Sequence, residues 1–346
     1  MSGLLEPIRR ELHQELVPLE SLPVDEQFLG LIVEDLRNQA ARHQPIASWV
    51  ADGGGEGVTG VESFEIETLI QSWLGFGSTR VSPESMFWYY RFLRDIDGLG
   101  LMRHYFDDET SWRAPAQDLR VADLGTILDL NLMAPFLQAP SDGPLLIVEV
   151  GGGYGRLAEA FLNIFGHQVR FILIDAVPGS LLLAYEYLRR CNPAIRVGFD
   201  YLGDPFDLER YHCYIAPSWR IDPIPEGSVD LAINVQSMQE MEQHHVDEYL
   251  AWFDRALRPG SGIAYFCNRR DHLFRGEYHY PDHWQLLLKK CTPRSWVRDF
   301  PAELFRKGER CYAAENQLQA ALYERDLGRE SAVLLAAAKR RGYSPY

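Results

Sequence analysis

The chain has 346 residues, 46% of them hydrophobic, which is enough for one enlarged domain or two ordinary ones around a buried core. Its 34 Lys and Arg stand against 49 Asp and Glu, and the basic runs Arg189-Arg190, Arg269-Arg270 and Lys339-Arg340-Arg341 are too short to track phosphates, so no nucleic-acid partner is expected. The 5 cysteines form no Cys-x-x-Cys pair, no apolar window spans a bilayer and the first ten residues lack a leader's apolar core; a reduced, cytoplasmic protein without membrane partner or metal site is expected.

In chain order, residues 4–17 and 26–43 carry helical spacing, with Phe28, Leu31, Ile32 and Leu36 on one face. Residues 52–60 form a glycine-rich connection or lid; no Gly-Lys-Ser/Thr closes it, so it is not a phosphate loop. Ser82 and Pro83 read as the N-cap and first turn of a helix, followed by the aromatic run Met86-Phe87-Trp88-Tyr89-Tyr90. That run serves helix packing or offers a stacking surface for a sugar or aryl group. Residues 1–140 thus read as a mainly helical cap.

From residue 141 to 315 the pattern alternates between strand and helix. Aliphatic runs at 145–150 and 169–174 suit strands buried on both faces of a parallel sheet. Helices are expected over 157–165, 178–190 and 246–257, and strands over 211–217, 229–235 and 263–268. A helix at 282–290 and an antiparallel strand pair at 295–300 and 310–314 complete this expectation. Residues 316–346 form a helical extension, bent near Gly328, whose alanine-rich end would pack on the cap or on a second copy in a homo-oligomer.

One stretch organises the core. Glu149-Val150-Gly151-Gly152-Gly153-Tyr154-Gly155 joins a strand to a helix, and glycine is suited to that turn because a Cβ would hold a ligand away from the backbone. Asp175 ends the next strand about 20 residues after the last glycine, the place for an acid that accepts ribose hydroxyls. The dinucleotide fingerprint Gly-x-Gly-x-x-Gly has its third glycine one position later than Gly155, which counts against a nicotinamide oxidoreductase.

The spacing Glu-x-Gly-x-Gly-x-Gly resembles the S-adenosylmethionine site of class I methyltransferases, with Asp175 matching their second motif. The turn Leu257-Arg258-Pro259-Gly260 is similar to a connection in the same class. The stretch Asn234-Val235-Gln236-Ser237-Met238-Gln239-Glu240-Met241, with Asn268 after the following strand, resembles the putative sugar O-methyltransferase family. That resemblance implies a Rossmann-like α/β fold with a doubly wound, mostly parallel seven-stranded sheet, an N-terminal helical cap and S-adenosyl-L-methionine as cofactor. It implies cofactor contacts from Glu149, Gly151, Gly152, Gly153, Tyr154, Gly155, Asp175, Ala176, Ala216, Pro217, Asn234 and Gln236, and acceptor contacts from Ser237 and Asn268. A hydroxyl is a poor nucleophile until its proton is taken, and Glu240, His244 and His272 are the candidate bases at loops past the fourth and fifth strands. The expected acceptor is a sugar or glycosylated small molecule. A phenolic or other natural-product hydroxyl is the alternative, and a non-catalytic methyltransferase-like binding protein is the alternative of a different class.

Overall fold

The computed structural model of the chain describes residues 83–104, 106, 121–138, 140, 141, 143–191, 194–221, 223–269, 278–290, 292 and 300–325. The helices expected at 4–17 and 26–43, the glycine loop, Ser82, His272, most of the strand expected at 295–300 and the end of the C-terminal extension lie outside these residues. The chain falls into two compact units, Met1–Ile224 and Pro225–Tyr346.

In the first unit, helix α1 (Pro83–Ile96) and helix α2 (Val121–Met133) precede strand β1 (Leu145–Val150). Helix α3 (Arg156–Phe165), strand β2 (Val169–Asp175), helix α4 (Pro178–Cys191) and strands β3 (Val197–Phe199) and β4 (Cys213–Pro217) follow. The strands lie in the order β3-β4-β2-β1, all parallel, with α3 carrying the chain from β1 to β2. Phe171, Ile172, Leu173 and Ile174 are fully buried, as expected for a strand covered on both faces. Burying each such side chain favours folding by roughly 1.5–3 kcal/mol. Helix α3 turns Leu157, Phe161, Leu162 and Phe165 inward, and Phe161 packs on Phe165 and on Phe171 of β2.

The second unit carries strand β5 (Leu231–Val235), helix α5 (Gln243–Ala256), and strands β6 (Ile263–Cys267), β7 (Trp284–Lys290) and β8 (Ala302–Lys307). Here the order is β5-β6-β8-β7; β5 and β6 are parallel, and β8 runs antiparallel to both β6 and β7. Trp284, Phe266, Phe305 and Tyr280 form its aromatic core.

Three expectations are corrected. Residues 284–290 are a strand rather than a helix. The Leu run suits either period, and six pairings with β8 override the helix propensity of Leu, Gln and Lys. Its antiparallel partner is Ala302–Lys307 rather than 310–314, because residues 313–325 are already helical. That helix is anchored by Asn316, whose side chain accepts from Leu286 N (2.8 Å) and donates to Trp284 O (2.7 Å), occupying the outer edge of β7 as a further strand would. Eight strands are described, four in each unit, against the seven expected. The three-residue β3 is too short to show a period; it lies beside Tyr211, so close that a Cβ on Gly198 would meet that ring at 2.8 Å. Among the described residues no helix is long and apolar enough to cross a membrane.

The glycine turn after β1 is equally intolerant. A Cβ at Gly152 would come within 2.6 Å of the Leu173 side chain, deep in β2. Gly152→Ala is expected to cost about 1–3 kcal/mol through overpacking. Urea unfolding measures it, and an unchanged midpoint would contradict the packing described here.

Candidate functional site

Strands β1 and β2 end side by side, Val150 opposite Ile174, and the chain leaves β1 over its neighbour: Gly151 N and Gly152 N both donate to Ile174 O, at 2.8 and 3.2 Å. Gly151, Gly153 and Gly155 have φ of 75°, 55° and 89°, a region that L side chains enter at a cost of roughly 1–2 kcal/mol each. The turn therefore keeps its amide edge open and narrow.

Asp175 braces this turn. One carboxylate oxygen accepts from Gly153 N at 2.9 Å, and the other from Val177 N at 2.8 Å, at the start of α4. Burial pushes its carboxyl up to about 6, against the lowering effect of the amides of Val177, Gly153 and Ala176. A carboxylate has about four lone-pair sites, so these bonds leave acceptor capacity for a ligand hydroxyl. Across the sheet Asp175 is the partner of Pro217, which places Ala216, Pro217 and Ser218 along the same carboxyl edge. Ser218 is fully buried, and its Oγ has no hydrogen-bond partner among the described residues. No motif marks it; a serine directly after a strand that ends at the ligand edge is the signal that would have.

Glu149, one residue before the end of β1, is 3% exposed, and its Oε2 has no hydrogen-bond partner among the described residues. Burial pushes the carboxyl up to about 8; Arg156 opposes this, while Asp129 and Asp175 reinforce it. Arg156 is held elsewhere, by Thr126 Oγ1 and by an oxygen of the fully buried Asp129, both at 3.0 Å and both on α2. Tyr154 packs inward, edge-on to Tyr187 at 5.2 Å.

In the second unit, side-chain amides bolt together the loops after β5 and β6. Asn268 Nδ2 donates to Asn234 Oδ1 (2.9 Å), and Asn268 Oδ1 accepts from Ser237 N (3.1 Å). Asn234 Oδ1 also accepts from Met238 N (3.1 Å), and Gln239 Oε1 from Arg269 N (2.8 Å). Between them Gln236 has φ 60°, a left-handed backbone on an exposed non-glycine residue. Glu240 is half-buried at the end of the 3₁₀ turn Met238–Glu240, before the main helix rather than on its first turn. His244 is exposed on α5, 3.3 Å from Glu242, whereas His245 is buried.

The structure therefore brings Glu149, the glycines, Asp175, Ala176, Ala216 and Pro217 to the carboxyl ends of β1, β2 and β4. Separately, it gathers Asn234, Gln236, Ser237, Glu240 and Asn268 at those of β5 and β6. Sequence reasoning missed Ser218, Asp129 and Arg156.

Comparison with family models and with curated proteins finds no match. Among solved structures, the chain is similar to S-adenosylmethionine-dependent methyltransferases. Haemonchus contortus phosphoethanolamine N-methyltransferase 2, in complex with S-adenosyl-L-methionine, shares 14% identity over 48% of this chain, with a TM-score of 0.29. The match spans only 30% of that enzyme's length. The CurJ carbon methyltransferase is 12% identical over 82% of this chain and 92% of its own, with a TM-score of 0.39. An Aquifex aeolicus SAM-dependent methyltransferase is 11% identical over 62% of this chain and 96% of its own, with a TM-score of 0.34.

Two outcomes are expected. A carboxyl whose folded pKa is raised, from 4.5 to about 8 for Glu149, contributes its full stability below the unfolded value, and that contribution is lost as pH rises through the folded one. Glu149→Gln should flatten the fall of Tm between about pH 5 and about pH 9, a difference on the order of a few kcal/mol at the alkaline end. Coincident Tm profiles for the two proteins would contradict the buried, uncompensated carboxyl. Asn268→Ala, which strips Ser237 N of its side-chain acceptor and Asn234 Oδ1 of one of its donors, should cost about 1–3 kcal/mol in chemical denaturation; a loss below experimental error would mean water replaces the amide.

Proposed function

We propose that this chain is an S-adenosylmethionine-dependent O-methyltransferase whose acceptor is a hydroxyl of a sugar or glycosylated small molecule. The observation that carries the cofactor assignment is Asp175. Its carboxylate locks the glycine turn by accepting from Gly153 N while lying at the carboxyl edge, where open α/β sheets bind ligands. The remaining residues fit an adenosyl amino acid. Glu149 Oε2 is buried and lacks a partner among the described residues, as expected of a group whose counter-charge arrives with a ligand. The fully buried Ser218 hydroxyl, on the same edge, lacks a partner among the described residues. The turn's glycines allow backbone approach that a Cβ would prevent.

When bound, the cofactor supplies a methyl group already activated by a sulfonium. The chain's own contribution is then to bind, orient and deprotonate. Asp175 would accept from the ribose hydroxyls, and Glu149 would pair with the ammonium. Ser218 would offer a hydroxyl to the base. For the acceptor, Ser237 and Asn268, held in one amide network with the cofactor-side Asn234, would supply a rigid floor, so the groups presented would need no reorganisation when a hydroxyl binds. Gln236 is held in a strained conformation with its carboxamide exposed, and such strain is typical of sites that contact ligands. Glu240 is the proposed base: half-buried, on a short turn just past β5. His244 is less suited, because it is exposed and sits beside Glu242.

Calorimetric titration with S-adenosylhomocysteine and with NADH tests the cofactor. Binding of the first alone is expected, weakened at least about tenfold by Asp175→Ala, which removes charge-assisted hydrogen bonds. Preferential NADH binding would sink the reading. In a screen of sugar, glycoside and phenol acceptors, Glu240→Gln should lower turnover by about 10²-fold or more with S-adenosylhomocysteine affinity unchanged. Full turnover by that variant would remove Glu240 from the base role.

A further inference from the structure

The buried polar groups around the glycine turn are not all explained by ligand contacts. Arg156 is the first residue of α3, and its charge lowers the pKa of the uncompensated Glu149 carboxyl, yet both ends of its guanidinium bond to α2 instead, to Thr126 Oγ1 and Asp129 Oδ2 at 3.0 Å. Asp129 is fully buried, so this pair is poorly screened by water. Among the described residues, the charged or titratable groups acting on Glu149 are Arg156 from α3, Asp129 from α2, Asp175 from β2 and Cys213 from β4. The Cys213 thiol is pushed up by burial and by Glu149 itself, and stays neutral. Both carboxylates repel a charge on Glu149, and Arg156, the only cation acting on it among the described residues, is already committed to one of them.

We infer that the Asp129–Arg156 ion pair is a positioning device: by holding the guanidinium on α2 it leaves the Glu149 carboxyl without a counter-ion, so that this carboxyl waits in its neutral form and releases its proton to solvent when an ammonium-bearing ligand binds beside the glycine turn. The exchange balances. One O–H bond breaks, the proton passes to buffer, and a carboxylate–ammonium pair replaces it. Helix α2, which touches no ligand in this account, thereby sets the pH at which the site accepts one. The burial of Glu149, which raises its pKa to about 8, is consistent with that resting state. This inference rests on the adenosyl reading above, with Glu149 as the ammonium's partner.

Proton inventory tests it. S-adenosylhomocysteine is titrated into the full chain at pH 7, in two buffers of different ionisation enthalpy, and the difference in heat counts protons released. The wild-type protein should release close to one. Asp129→Asn removes a repelling charge and frees Arg156 to approach Glu149, so release should fall by at least half, and the pH midpoint of binding should move down. Thr126→Val, a gentler change that keeps the ion pair, should move it the same way by less. Arg156→Met should move it up. The ligand's own titration is common to all four proteins and cancels in the comparison, and a purely structural role would weaken binding without lowering proton count and midpoint together in Asp129→Asn and raising the midpoint in Arg156→Met. Equal proton release by the wild-type protein and Asp129→Asn overturns the inference. Binding that weakens with Asp175→Ala but releases no proton overturns it while leaving the cofactor reading standing. No binding by the wild-type protein from pH 6 to 9 overturns both.

Discussion

The carboxylate of Asp175 is the point on which the first unit depends. It is bonded to Gly153 on one side and Val177 on the other, and so ties the turn after β1 to the start of α4. Without it, a run of glycines in left-handed conformations would have little to select one shape, because glycine gains more backbone freedom on unfolding than any other residue. The same carboxylate retains acceptor capacity at the sheet's edge. On the proposed reading, structural bracing and ligand recognition would be carried by one side chain, and a loop shaped before a ligand arrives reduces the ordering cost of binding.

Around this brace the unit tolerates groups that a core designed for stability alone would not keep. Among the described residues, Glu149 is buried with an oxygen left without a partner, and Ser218 is buried with its hydroxyl in the same state. Each such group costs on the order of 1–3 kcal/mol while no partner is present. Arg156 compensates the first only in part, because Asp129 and Thr126 hold its guanidinium.

The second unit solves a different problem by a different means. Its loops after β5 and β6 are joined by carboxamide side chains in place of strand pairing, and Gln236 is trapped between them at φ 60°. Asparagine suits this task, since one amide both donates and accepts and so can satisfy two backbone groups on different loops. Further along, Asn316 uses the same chemistry to occupy the outer edge of β7. Short amides therefore decide where this unit's irregular segments sit.

The sequence alone determined the parallel strands, the glycine turn and the place of Asp175, because each has a local cause: an unbroken aliphatic run, glycines at positive φ, an acid at a strand end. It also marked Asn234, Ser237 and Asn268 as a group, although the bonds among them join residues some thirty positions apart. Tertiary structure alone decided what depended on distant partners. Residues 284–290 read as a helix until β8 supplied the pairing that makes them a strand, and the brief β3 exists through its neighbour β4. In the same way, nothing in the order of residues shows that Arg156 turns to Asp129 and leaves Glu149 only partly compensated. Local periodicity encodes which segments are strands or helices when a pattern is long and regular. Which charge pairs with which, and which polar group is left waiting, is settled only when the elements pack.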